Sequence, residues 1–246
     1  MPGRLRVDNA TIHSLTPVFD FSIVLSGPFH DMLVAGLVFS LQLLVVTLVF
    51  AVPLAVVVAL LRLSHWAALR WLGATFVEAI RNVPLLAHML FWYFGMPEFL
   101  PDPVKEWLYA HNFEAVAAVV ALILYTAAYM AEDVRSGIRA VPQVQFEAAR
   151  ALGLSYLAAM QLVILPQALR IIVPPLISQT LNLWKNTSIA TVIGTAELMY
   201  QAAKVETATF RSVEAFLFAT VCYLTVSLAI TGLATWFHHR YPVRAL

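Results

Sequence analysis

Between residues 32 and 61 the chain carries no Asp, Glu, Lys or Arg. A helix needs roughly 20 apolar residues to cross the hydrocarbon of a bilayer, and this run exceeds that length. In lipid every backbone N–H and C=O must be paired within the protein, which leaves helices and closed barrels as spanning forms. A barrel would show short alternating strands, and they are not seen here. A second charge-free run covers 215–237. The composition agrees: 61% of residues are hydrophobic and 12% charged, with mean hydropathy +0.81. A soluble domain averages about 45–50% apolar and about 25% charged residues. The expectation is an all-α integral membrane protein.

Clusters of charge divide the apolar stretches into about five spans: within 32–61, then about 71–95, 113–131, 160–184 and 213–237. Arg62 and Arg70 fall between the first two, Arg135, Arg139 and Arg150 between the third and fourth, and Arg240 and Arg244 after the fifth. With five spans these segments share one side, which the positive-inside rule assigns to the cytoplasm. The expected orientation is amino terminus out, carboxyl terminus in. Arg4 and Arg6 run against it but are remote from the first span. The first 31 residues form an extracytoplasmic or interfacial segment without the features of a cleaved signal, so the first span is expected to direct insertion. Residues 238–246 form a cytoplasmic tail. Cys222, inside an apolar run, is read as a packing residue.

The fourth span ends in NLWKNTSIATVIGTAELMYQAAK (182–204). This is too polar to face lipid and too apolar for an ordinary loop. It is read as a partly inserted segment beside a pathway, with a plain surface loop as the alternative. Lys185, Asn186, Thr187 and Ser188 are its candidates for touching a passing solute. In VEAIRNVPLL (77–86), Glu78 and Arg81 share a helix face. They either pair with each other near the span's end, or Pro84 breaks the helix and turns Glu78, Arg81 and Asn82 towards the pathway. His88 is read as a hydrogen-bonded packing residue.

No nucleophile–base triad, zinc-protease motif or paired cysteines occur, and no P-loop is present. The chain is not expected to be an enzyme or to bind a cofactor or metal. If ATP drives it, the ATPase is another chain.

EAARALGLSYLAAMQLVILPQALR (147–170) lies on the basic side, between the third and fourth spans. On a helix, Val144, Ala148, Ala151 and Leu152 fall on one side, and Gln143, Glu147 and Arg150 on another. Helices that lie on lipid favour Lys and Arg with bulky apolar anchors. Here the polar face is nearly neutral and the apolar face is alanine-rich, so the segment is read as a protein-docking helix. Gly153 ends it, and Leu154 begins a second short helix.

These residues resemble the cytoplasmic EAA signature of ABC importer permeases, closest to the polar amino-acid subfamily. Glu147, Ala148, Ala149 and Gly153 carry it, followed by Val163 and Leu165–Pro166. Supporting blocks are RLS (62–64), RNVPLL (81–86), AEDVRSGIRAVP (131–142), LPQALRIIVPPL (165–176) and LWKNTSIATVIGTAEL (183–198). The sequence departs from the pattern at Pro53, Val144, Val163 and Asn186, the last standing where many relatives have Asp. The resemblance implies a type I importer permease domain over 32–237 with a coupling loop at about 138–160. Glu147, Ala148, Ala149, Arg150, Gly153 and Leu154 would dock a cytoplasmic ABC ATPase dimer that holds the ATP. The resemblance further implies a second permease, as homo- or heterodimer, an external solute-binding protein and an amino-acid substrate, in the bacterial cytoplasmic membrane. Glutamate/aspartate import is the closest branch, with glutamine, arginine, histidine or cystine as alternatives. Rivals outside the class are a membrane scaffold and an ion-coupled transporter. No nucleic-acid partner is expected.

Overall fold

The 32–61 run lies inside one helix, α1 (Pro28–Leu63), apolar on every side, which starts at Pro28 after a left-handed Gly27. The computed structural model describes residues 19–241. Arg4, Arg6, Arg244 and most of the expected tail lie outside the described residues. Following α1 come α2 (Ala67–Arg81), α3 (Leu85–Leu90), α4 (Asp102–Tyr109) and α5 (Phe113–Arg139). Next are α6 (Gln143–Ala151), α7 (Tyr156–Ala159) and α8 (Leu165–Asn186), then α9 (Leu198–Thr209) and α10 (Ser212–Arg240). Among the described residues there is no strand.

Among the described residues, four helical stretches are long and apolar enough to cross a membrane: Pro28–Leu63, Phe113–Arg139, Tyr156–Ile193 and Ser212–Phe237. The expected second span is instead interrupted. Pro84 has no N–H to give the Ile80 carbonyl, which would be its partner in a continuous helix. That carbonyl receives a long 3.4 Å bond from the Val83 N–H, and His88 Nε2 donates to it at 3.1 Å. The packing reading of His88 thus has a specific cause, because its ring repairs the backbone across the break. Beyond α3 the chain passes through a π-helical turn (Phe91–Gly95) and a 3-10 turn (Met96–Phe99). By contrast, Pro174 and Pro175 sit inside α8 without ending it.

The core is built where helices approach closely. Ala117, Ala118, Ala121, Ala127, Ala128 and Ala131 of α5 are all buried. Small residues let backbones near one another in a membrane, where dispersion and hydrogen bonds replace the hydrophobic effect. Gly137 is the extreme case, since a Cβ there would clash with Ile172 Cγ1 on α8. Trp184 is fully buried and donates from Nε1 to the Tyr223 carbonyl, 3.1 Å away, tying α8 to α10.

The segment after α8 is no surface loop. A 3-10 stretch (Thr187–Ile193) comes directly after it, and Thr187, Ala190, Ile193, Thr195 and Glu197 are buried. Gly194 turns the chain at φ 82°, and α9 begins under a side-chain cap. Glu197 supplies that cap, accepting from the N–H groups of Met199 (2.9 Å) and Tyr200 (2.8 Å). It also accepts from the hydroxyls of Tyr223 on α10 (2.9 Å) and Ser40 on α1 (3.4 Å). One buried carboxylate therefore joins α1, α9 and α10.

Candidate translocation cavity and docking surface

A cavity of about 480 Å³ opens between α5 and α8. Tyr125, Thr126 and Tyr129 line it from α5, and Gln179, Asn182, Leu183, Lys185 and Asn186 from α8. The residues fall in these places because polar positions 125, 126 and 129, and 179, 182 and 186, recur at three- and four-residue spacing and so share a helix face. None of the described lining residues carries a carboxylate, whereas Lys185 brings a cation and Gln179, Asn182 and Asn186 bring amides. Such a lining offers hydrogen bonds and positive charge to a small polar solute.

Around the cavity the polar groups are linked. The Tyr125 hydroxyl donates to that of Tyr129 at 3.3 Å. The Arg81 guanidinium stands 4.8 Å over the Tyr129 ring, a cation–π contact. Asp133 accepts from Gln179 Nε2 at 2.9 Å, joining α5 to α8.

Of the residues expected on a pathway, Lys185 and Asn186 line the cavity and Arg81 reaches its Tyr129. Glu78 does not pair with Arg81; it accepts from Asn82 Nδ2 at 3.2 Å. Spacing brought the two onto one face, but the aromatic ring on α5 draws the guanidinium away. Glu78, Asn82 and Pro84 are exposed at the helix break and do not line the cavity. The hydroxyls of Thr187 and Ser188 donate to the carbonyls of Trp184 and Lys185, at 2.8 and 2.7 Å, and so finish the end of α8. Sequence reasoning missed Tyr125, Tyr129, Asp133 and Gln179. The available signal was polar side chains within otherwise apolar spans.

At the end of the bundle where α1, α5 and α10 finish, α6 and α7 form a helix–turn–helix. The turn is a Schellman closure: the Leu154 N–H reaches back to the Ala149 carbonyl (3.2 Å) and the Gly153 N–H to Arg150 (3.0 Å). Gly153 adopts φ 86°, a conformation that costs an L side chain roughly 1–2 kcal/mol. Arg150 Nη1 donates to the Leu154 carbonyl (2.6 Å), and Ser155 caps α7 by accepting from the Ala158 N–H (3.2 Å). Phe146 meets Tyr156 edge-on at 5.5 Å, bracing one helix against the other.

This unit buries one face and shows the other. Ala149 is 3% exposed, so it seats α6 on the bundle and has no surface for a partner. Val144, Leu152, Tyr156 and Leu157 are 62%, 84%, 56% and 68% exposed, and Ala148 and Ala151 lie open beside them. Glu147 is exposed and accepts from Gln143 Nε2 at 2.9 Å, one turn back. Leu154 is half-buried.

A helical membrane bundle with a polar cavity opening between two of its helices and an apolar helix–turn–helix at its basic end has the build of a transport permease that meets another protein. Residues 51–242 match the family described as "Binding-protein-dependent transport system inner membrane component", and the chain belongs to that family. It is thus a transport component rather than an enzyme, and an integral membrane protein. Similar curated proteins include the probable glutamine ABC transporter permease GlnM of Bacillus subtilis, 38% identical, covering 87% of this chain and 91% of its own. The glutamate/aspartate import permease GltK of Escherichia coli is 33% identical over 90% of this chain and 98% of its own. The arginine transport system permease ArtQ of Bacillus subtilis is 32% identical, with 86% and 92% covered. Among solved structures, "an amino acid ABC transporter with histidines" superposes with TM-score 0.79 at 31% identity, over 91% of this chain and 99% of that one. The inward-facing MetNI methionine ABC transporter shares the fold at TM-score 0.64 and 18% identity, with 86% and 99% covered.

Proposed function

We propose that this chain is the membrane-spanning subunit of an ATP-driven importer for polar amino acids in a bacterial cytoplasmic membrane. Its basic end, carrying Arg62, Arg70, Arg135, Arg139, Arg150 and Arg240, faces the cytoplasm, with the amino terminus outside. Two such subunits, alike or different, enclose the pathway, and a solute-binding protein delivers the amino acid from outside. An ABC ATPase pair binds ATP and receives the exposed face of α6 and α7, with Glu147, Ala148, Arg150 and Gly153 shaping that contact. ATP binding biases a two-state rigid-body change between outward and inward access.

The polar cavity between α5 and α8 carries the substrate reading. Lys185 and amides line it and the described lining holds no carboxylate, while just behind the lining Arg81 over Tyr129 is matched by Asp133 on Gln179. This charge pattern suits glutamate or aspartate, whose second carboxylate a lining acid would repel. Glutamine is the second reading, favoured by the amide lining and by the 38% identity to a glutamine permease.

Reconstitution in liposomes with its ATPase and binding protein should give ATP-dependent amino-acid uptake. Uptake driven by an ion gradient alone would sink the proposal. Asn186→Asp separates the two substrates: glutamate uptake should fall about tenfold while glutamine uptake falls far less, the difference of about 1.4 kcal/mol expected from one near-contact charge. Equal falls would favour glutamine.

A further inference from the structure

Glu132 stands near the basic end of α5 and binds two arginines. Arg135, three residues on, donates from Nε to both carboxylate oxygens at 3.0 and 3.1 Å, and its Nη2 also bonds Oε1. Arg62, in the last turn of α1, bonds Oε2 through Nη1. The three side chains are 16–22% exposed, so water screens them little. The Arg62 stem in turn lies against α2, where a Cβ on Gly73 would stand 2.8 Å from Arg62 Cγ. One carboxylate thus ties α1 to α5, and the Arg62 stem packs α2 against the pair.

On its other side α5 is pressed against α8 at Gly137 and Ile172. The helix–turn–helix of α6 and α7 leaves α5 at residue 140 and rejoins α8 through the π-helical turn Met160–Ile164. Both of its roots are therefore anchored next to the Glu132 knot. Around the cavity the polar links are single contacts, the Gln179 amide on the Asp133 carboxylate and the Arg81 guanidinium over the Tyr129 ring, and neither is an ion pair. Glu132 instead takes several guanidinium bonds at once, and paired guanidinium–carboxylate bonds add geometric definition to their strength. A push on α6 then moves the multiply bonded knot as one body, and the singly made links around the cavity yield first.

We propose that Glu132, through Arg62, is the positioning residue that makes α1 and α2 follow α5 when the ATPase moves α6. The proposal rests on the docking reading of α6 given above. Removing the Arg62 link leaves α1 to follow α5 through apolar packing alone, so part of the movement is lost and more ATP is hydrolysed for each opening of the cavity.

The test uses the full complex in liposomes, with uptake and ATP hydrolysis measured together. Arg62→Gln leaves Glu132 satisfied by Arg135, so the chain folds and keeps its ATPase. Uptake per ATP should fall about tenfold, within the range known for residues that carry coupling. Arg62→Lys should restore part of it, and Glu132→Gln should give the same fall with no further loss when combined with Arg62→Gln. Wild-type uptake per ATP in Arg62→Gln overturns the proposal, as does a parallel fall of uptake and hydrolysis, which would indicate structural support alone. Should Glu132→Gln fail to assemble, Arg62→Gln decides. Failure of the docking reading shows separately, as an ATPase that stays bound when Leu152 is replaced by Asp.

Discussion

At Gly153 and at Gly194 the chain makes the same manoeuvre. A helical segment ends on a left-handed glycine, at φ 86° and 82°, and passes through extended backbone. It then restarts under a side-chain cap, Ser155 for α7 and Glu197 for α9. Past the caps the two regions diverge. After Gly194 the chain covers its own turn: Leu198, Ala202 and Val205 are fully buried against α1 and α10. After Gly153 nothing among the described residues does so, and Leu152 and Leu157 stand open at 84% and 68%. Local backbone chemistry makes a turn; only the surrounding helices decide whether it becomes core or contact surface.

The buried turn is the more fragile of the two. Glu197→Ala removes the side-chain acceptor of two backbone N–H groups and leaves the Tyr223 and Ser40 hydroxyls without the carboxylate they donate to in the interior. Lost caps and unsatisfied buried groups together should cost about 3 kcal/mol, read as a lower melting temperature of the detergent-purified chain. Leu152→Asp acts the other way round. It should leave that melting temperature within about 0.5 kcal/mol of wild type, as exposed positions do. Its cost should fall on ATPase association, weakened by about 2 kcal/mol or some thirtyfold in a pull-down titration, as for an interface anchor. A melting temperature that drops for Leu152→Asp, or holds for Glu197→Ala, would show that burial does not divide the two turns. The smallest effect tests what they share. Gly153→Ala and Gly194→Ala should each cost about 1–2 kcal/mol of stability through left-handed backbone strain. A Cβ at either site meets nothing within 4 Å, so a large difference between the two would require another cause.

The same division separates what the sequence made legible from what it hid. The charge-free runs disclosed the spans because hydrocarbon excludes charge at every position, and sequence records that directly. The α6–α7 unit was legible because its signals are local: a small-residue face, a glycine stop and the order of the EAA blocks. Its exposed face is the one that the helical spacing of Val144, Ala148, Ala151 and Leu152 selects. Ala149 differed because adjacent helical residues point about 100° apart, and one of the pair had to face the bundle. Glu197 was not recognised as a cap, since Glu is not among the favoured capping residues and its other partners are 157 and 26 positions away. The Glu78–Arg81 pairing failed for the same kind of reason: the competing ring belongs to another helix. The break at residues 82–84 was marked by Pro84, but its repair depends on His88, a turn further on.

Helix α1 holds a consequence in its length alone. Its 36 residues span about 54 Å at 1.5 Å per residue, against a hydrocarbon thickness of about 30 Å. It must therefore tilt or project beyond the lipid. It is held about a third of the way along by Ser40 against Glu197, and at its far end by Arg62 against Glu132. Those two fastenings lie 22 positions apart, or about 33 Å along the axis. A rod pinned at two depths works as a seesaw: about 5° of tilt about one pin carries the other about 3 Å sideways. What happens at the basic face is therefore felt at the far face without any signal passing from side chain to side chain.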